Sequence, residues 1–146
     1  MKKEALKKGE ELLPYIPQRP PFVMVDKIYE KGNNFLVSGL TIEPGNIMVE
    51  EGKFKEGGLV ENMAQTAGLF AGTKFIDNNL PVPVGYIAGI KNLVVDKLPL
   101  SGEEIFTKTT LTNELLNIQV VVAEVFNEQQ EKIAHCELRI FIKSED

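Results

Sequence analysis

Residues 57–72 read GGLVENMAQTAGLFAG, and within them Ala64, Ala67, Gly68, Ala71 and Gly72 fall at i, i+3, i+4, i+7 and i+8. On an α-helix those positions share one face, so the helix carries a wall with almost no side chain on it. Glycine costs about 1 kcal/mol against alanine inside a helix, so two on one face call for a neighbour that comes close to the backbone. A carboxylate, Glu61, stands near the start of the same helix. A first-turn acid can simply answer the helix dipole, or it can be a working group in a pocket. The flanking Gly57-Gly58 and the close-packed wall favour the pocket.

The remainder of the chain reads mostly as strand. A short helix is expected over 3–13, ended by Pro14, and Pro17, Pro20 and Pro21 then hold an extended approach. Strands are expected at 22–30 and 35–42 about a turn at 31–34, followed by a polar loop over 43–57 and the long helix over 59–77. Three long strands at 84–95, 104–112 and 117–127 and a last one at 132–143 follow, with turn signals between them. One long helix among antiparallel strands predicts an α+β fold of the hotdog kind, a sheet of five to six strands wrapped around a central helix. The 146 residues fit a single domain over 1–146.

Composition narrows the class. A net charge of −5 argues against a general nucleic-acid binder. No apolar run reaches membrane-spanning length and the opening MKKEALKKGEELL has no signal-peptide core, so no membrane association and a cytoplasmic location are expected. The lone Cys136 suits a reducing compartment and reads as a small buried core residue. No metal and no cofactor are expected.

Three blocks now carry a resemblance. Leu13-Pro14-Tyr15-Ile16-Pro17-Gln18-Arg19-Pro20-Pro21-Phe22-Val23-Met24-Val25-Asp26 resembles the "LPHR-x-PF-x-x-VD" opening of the 3-hydroxyacyl-[acyl-carrier-protein] dehydratases, the FabZ/FabA group. Glu61-Asn62-Met63-Ala64-Gln65-Thr66-Ala67-Gly68 is similar to their "E-A-M-A-Q-x-x-G" helix. Ile87-Ala88-Gly89-Ile90, with Leu98-Pro99-Leu100-Ser101-Gly102-Glu103, resembles their "F-A-G-I … P-V-x-P-G-D" stretch. The blocks occur in family order and cover nearly the whole chain.

The resemblance implies elimination of water from a 3-hydroxyacyl thioester: a base takes a proton next to the carbonyl and an acid protonates the departing hydroxyl. Family members draw a histidine from one subunit and a carboxylate from the partner's helix. The carboxylate carries over onto Glu61 and the glutamine one turn later onto Gln65. The histidine of the "G-H-F-P-G" loop does not carry over, because that region reads Ile47-Met48-Val49-Glu50-Glu51-Gly52-Lys53-Phe54-Lys55-Glu56. The histidine of the opening motif is Gln18 here. His135, the single histidine, alternates with Ala134 and Cys136 and is expected to face outward, away from the helix mouth.

Around Glu61 and Gln65, the expected substrate-binding set is Gln18, Arg19, Phe22, Gly58, Leu59, Tyr86, Ala88 and Gly89. Asp26 reads as structural. Three functions stay open: a dehydratase of fatty-acid or polyene-type lipid synthesis, a silent or heterodimer-partner subunit beside a histidine-bearing homologue, and a hotdog acyl thioesterase. The expected partners are an acyl-carrier protein or a coenzyme A thioester, and a second subunit, in a homodimer or a heterodimer with such a homologue. Lys2, Lys3, Lys7, Lys8, Arg19, Lys53 and Lys55 are candidates for a basic patch that an acidic carrier would meet.

Overall fold

The computed structural model describes residues 4–81 and 84–143. Its strands are β1 (Lys7–Lys8), β2 (Lys27–Lys31), β3 (Phe35–Thr41), β4 (Val49–Glu50), β5 (Lys53–Phe54), β6 (Val84–Val95), β7 (Glu104–Leu115), β8 (Ile118–Phe126) and β9 (Lys132–Lys143). One α-helix, α1 (Glu56–Asp77), and a 3-10 helix, Gly9–Tyr15, complete it. Seven strands form one antiparallel sheet in the order β1-β2-β3-β7-β8-β9-β6, and β4 pairs with β5 in a small hairpin. This is the expected hotdog architecture, α+β with the sheet curled around α1; the two-residue β1 brings the strand count to seven.

Alternation in β8 and β9 decides which face closes on the helix. Gln119, Val121, Ala123 and Val125 of β8, with Ala134, Cys136, Leu138 and Ile140 of β9, are buried, and the residues between them are half-exposed. They enclose Leu59, Met63 and Ala67 of α1 together with Met24, Phe54 and Ile105. A second cluster, with Leu12, Tyr15, Ile16, Leu36, Leu69 and Phe70, closes the far end of the helix.

Three expectations change. The strand expected at 22–30 begins only at Lys27. Over the described residues 4–8 the expected helix is not formed: Lys7 and Lys8 pair with Ile28 and Lys27, and the 3-10 helix begins only at Gly9 and contains Pro14. Pairing with a sheet edge outweighs the helix propensity of a Lys/Glu/Leu-rich stretch. The stretch 43–57 is not wholly loop, since it holds the β4–β5 hairpin. That hairpin explains Gly58: a Cβ there would stand 2.6 Å from the Phe54 ring and 2.8 Å from Cβ of Met48.

The Gly72 end of the small-residue wall meets the segment before β2, while Ala67 packs against the sheet. A Cβ on Gly72 would lie 2.3 Å from the carbonyl oxygen of Tyr15. Ala71 beside it, and Gly68 and Ala64 one and two turns earlier, stay half-exposed, and the segment lifts away from them to leave a cleft.

Candidate functional site

Gln65 of α1 lines that cleft, and Glu61 and Asn62 stand beside it on the helix. Gln65 is 1% exposed; its Oε1 accepts the backbone N–H of Met24 at 2.7 Å, and its Nε2 donates to the carbonyl of Phe22 at 2.9 Å and to Oε2 of Glu61 at 3.1 Å. A backbone N–H can only donate, so the amide orientation is settled and its N–H end faces the half-buried Glu61. Asn62 works in the same way: Nδ2 donates to the carbonyl of Met24 at 2.8 Å and Oδ1 accepts the hydroxyl of Thr107 at 2.5 Å. Thr66 donates to the carbonyl of Asn62 and shares a hydrogen bond with Ser38. These polar side chains are buried and paired, which removes the penalty that burial would impose. They tie the first turns of α1 to residues 22–24, β3 and β7.

Beside Gln65 the cleft encloses about 380 Å³, a size in the range of small-molecule sites. Ala64, Gly68 and Ala71 form its floor and residues 14–18 one wall. Gly85, Ile87, Gln119, Ile140 and Ile142, from β6, β8 and β9, form the other. The walls are largely apolar, and the Glu61 carboxylate stands one helical turn from Gln65.

The other expected residues fall in several places. Gln18 lines the cleft, and Arg19 braces the same segment by donating from Nη1 to the carbonyls of Ile16 and Gln18 at 2.8 and 2.7 Å. The Phe22 side chain is exposed, while its carbonyl holds Gln65. Gly58 and Leu59 are buried against the β4–β5 side of the core. Tyr86 and Ala88 are exposed on β6, and Gly89 sits at a break in the β6–β9 register with open space at its Cβ position. From that strand Gly85 and Ile87 reach the cleft. Their signal in sequence was the alternation around Tyr86; Gln119 announced itself as the one polar residue on the inward face of β8.

His135 lies on β9 between Glu124 of β8 and Val94 of β6, on the opposite face from Cys136 and the helix. Asp26 is structural, accepting the Thr41 N–H and the Lys27 ammonium. Lys7 and Lys8 occupy the β1 edge of the sheet, whereas Lys53 and Lys55 flank Phe54 ahead of α1. Lys2 and Lys3 lie outside the described residues.

A second depression, of about 340 Å³, sits on another face among Tyr29, Val37, Phe106 and Phe126. Its chemistry is closed on itself: the Tyr29 hydroxyl donates to Glu104 Oε2 at 2.5 Å, and Lys27 meets Glu104 at 3.2 Å and Asp26 at 2.8 Å. Burial and the Glu104 carboxylate push the Tyr29 phenol well above its ordinary value. Burial alone would lower Lys27, but the Asp26 and Glu104 carboxylates hold its ammonium above the usual lysine range. Burial also pushes the Cys136 thiol up to about 11. Among the described residues no group of three or more His, Cys, Asp or Glu is placed to hold a metal ion, and no helix is long and apolar enough to cross a membrane.

Comparison with known proteins agrees with this layout. By fold the chain is similar to the dehydratase heterocomplex ApeI:P from Xenorhabdus doucetiae, with a TM-score of 0.82 over 92% of this chain and 91% of that one at 14% identity. It is also similar to the PaaI protein from the phenylacetic acid degradation operon of E. coli, with a TM-score of 0.66 over 78% and 80% of the two chains at 13% identity. By sequence it is 31% identical over 124 residues to the 3-hydroxyacyl-[acyl-carrier-protein] dehydratase FabZ of Shewanella sp. (strain W3-18-1), spanning 78% of this chain and 79% of the relative. The family model described as ApeP dehydratase matches residues 10–146. The chain belongs to the ApeP-like dehydratases, a FabZ-related family of the hotdog fold.

Proposed function

We propose that this protein is the carboxylate-bearing subunit of a two-subunit dehydratase, binding a 3-hydroxyacyl thioester along the α1 cleft and completing its site with a histidine from a homologous partner. The observation that carries this reading is the hydrogen bond from Gln65, which lines the cleft, to Glu61 one helical turn away, set against His135 on the opposite face of the sheet. Half of an acid–base pair is in place and the chain's one imidazole is directed elsewhere.

The elimination needs two proton transfers. The partner's imidazole takes the proton from the carbon next to the thioester carbonyl, the electrons of that C–H bond form the new double bond, and the C–O bond breaks. Glu61 delivers a proton to the departing hydroxyl, so water leaves. Gln65 holds the Glu61 oxygen where the hydroxyl would sit, and the apolar cleft keeps the chain out of solvent.

The edge of the sheet supports a partnered state. β6 is the last strand in the sheet order, and Tyr86, Ile87, Ile90, Leu93 and Val94 along it are all more than a third exposed. A long apolar edge strand is a template for pairing with another chain. The ApeI:P neighbour is described as a heterocomplex, which is consistent with pairing of unlike subunits. The acyl group is carried by an acyl-carrier protein, as the name of the FabZ relative suggests, and the work is done in the cytoplasm.

The test is an assay of 3-hydroxyacyl-carrier substrates with the chain alone, a histidine-bearing homologue alone, and the two mixed. Dehydration that requires the mixture and falls at least about 100-fold with Glu61→Gln is the expected result. Dehydration by the chain alone overturns the two-subunit reading, and release of free acid and thiol replaces it with a thioesterase.

A further inference from the structure

On the face of the sheet turned away from α1, Val37, Phe106 and Phe126 take outward positions that alternate with buried residues. With Tyr29 they line the depression of about 340 Å³. Outward positions on a sheet with one solvated face usually carry polar side chains. Three local devices shape this one instead. The β2–β3 register breaks between Ile28 and Glu30, leaving Tyr29 as the extra residue of a bulge, and bulges re-aim side chains. Gly39 makes room for the re-aimed ring, since a Cβ there would stand 2.5 Å from Cε2 of Tyr29. Asn127, 5% exposed, accepts the N–H groups of Gln129 and Glu131 at 3.0 and 2.9 Å, and the turn it holds brings Gln130 into the lining.

The phenol of Tyr29 is taken up by Glu104, so what the depression offers a ligand is ring faces and acceptors. Tyr29 and Phe106 stand 5.6 Å apart, tilted by 42°, and Phe126, Glu30 and Gln130 share the lining. Glu104 and Glu128 add negative charge at the same end of the sheet. No described lysine or arginine lines the space: Lys27 is tied to Asp26 and Glu104, Lys108 lies over the Phe35 ring at 5.1 Å, and Lys132 reaches Glu124 at 3.5 Å. Aromatic faces and carboxylates attract a cation, and side-chain acceptors favour one with N–H donors over a quaternary ammonium. A planar guanidinium stacks on rings and donates to a carboxylate through a fork, which an ammonium cannot do. Val37, Phe106 and Phe126 are only half-buried, so the space opens at the surface, where a side chain standing on another protein can enter. We propose that this depression is a docking socket for an arginine side chain of another protein chain, its guanidinium stacked on the aromatic rings and donating to Glu30. The sheet lies between the socket and the α1 cleft, so the two work independently.

Chemical-shift titration of isotope-labelled protein with N-acetyl-arginine methylamide, and with its citrulline and lysine counterparts, tests the socket. Wild type is expected to bind the arginine probe at least about fivefold more tightly than either counterpart, with shifts centred on Phe106 and Gln130. Glu30→Gln is expected to weaken the arginine probe by about three- to fivefold. Phe126→Leu is expected to do the same; should it fold poorly, the isosteric Glu30→Gln and the wild-type probe series still decide. Glu61→Gln is expected to leave binding unchanged. Equal binding of the arginine and citrulline probes, or shifts centred on the α1 cleft, overturns the socket. Equal binding of the lysine probe overturns the guanidinium assignment, and undiminished arginine binding in both variants removes the residues it rests on. Free agmatine that binds more than about tenfold tighter than the arginine probe makes this a small-molecule site and overturns docking of a protein side chain.

Discussion

The carbonyl oxygen of Tyr15 occupies the space beside Gly72 so fully that a Cβ there would lie 2.3 Å from it. At that contact the 3-10 helix docks on α1, and it determines where the cleft wall begins. The blocking atom belongs to backbone and cannot swing aside. Gly72→Ala is therefore expected to destabilise by about 1–3 kcal/mol, read as a fall in denaturation midpoint. At Gly68 the nearest atom to an added Cβ is Cγ2 of Ile16 at 3.6 Å, an ordinary contact. Gly68→Ala is expected to be neutral, or stabilising by up to about 1 kcal/mol through helix propensity, while narrowing the cleft floor. Equal destabilisation by the two would disprove the docking account.

Removing the Gln65 amide separates positioning from chemistry. Gln65→Met leaves the Met24 N–H and the Phe22 carbonyl without their side-chain partner, a cost of about 1–3 kcal/mol. It also frees Glu61 to rotate. In the mixed-subunit assay the expected outcome is a drop in kcat of at least about tenfold with Glu61 still present. Unchanged kcat would show that Glu61 needs no such brace.

Alkaline pH probes the outward cluster. The folded state holds the Tyr29 and Lys27 protons more tightly than the unfolded chain, so above about pH 10, where these groups begin to ionise in the unfolded chain, stability falls as pH rises. Cys136 adds a loss in the same direction between about pH 9 and 11. Tyr29→Phe is expected to flatten the decline above pH 10, measured as melting temperature against pH. Cys136→Ala is expected to flatten its lower part. Parallel curves for wild type and Tyr29→Phe would remove the phenol from this role.

The β6 edge makes a prediction about assembly. Ile90→Lys puts a charge where an apolar side chain is 40% exposed on the terminal strand. Sedimentation is expected to show partnered wild type and a variant shifted to single chains, with the melting temperature of the single chain little changed. A variant that stays partnered would move the contact off β6.

The sequence was most informative where the pattern was long. The strands at 84–95 and 132–143 match β6 and β9 residue for residue: the second alternates apolar with polar residues from Ala134, and the first is rich in β-branched and aromatic residues. It was least informative at 3–13, where a helical composition meets a sheet edge that only the folded chain supplies. The small-residue stripe announced a close neighbour, yet could not say that the 3-10 helix, and not the sheet, would meet Gly72. The cleft is hidden for a related reason. Gln18, Gln119 and Ile140 are 21 to 122 residues apart and line one cleft only after β8 and β9 close on the helix. Glu61 and Gln65, one helical turn apart, were legible together because local geometry alone brings them into contact.

Asn62, one residue after Glu61, has a meaning for how the protein waits for its ligand. Apolar contacts between a helix and a sheet tolerate sliding; two directional bonds from one side chain, to Met24 and to Thr107, do not. They lock the helix in register against the strands, and the neighbouring carboxylate inherits that lock. On the proposed function, the ordering of the site is completed when the chain folds, and encounter with substrate has only the substrate left to organise.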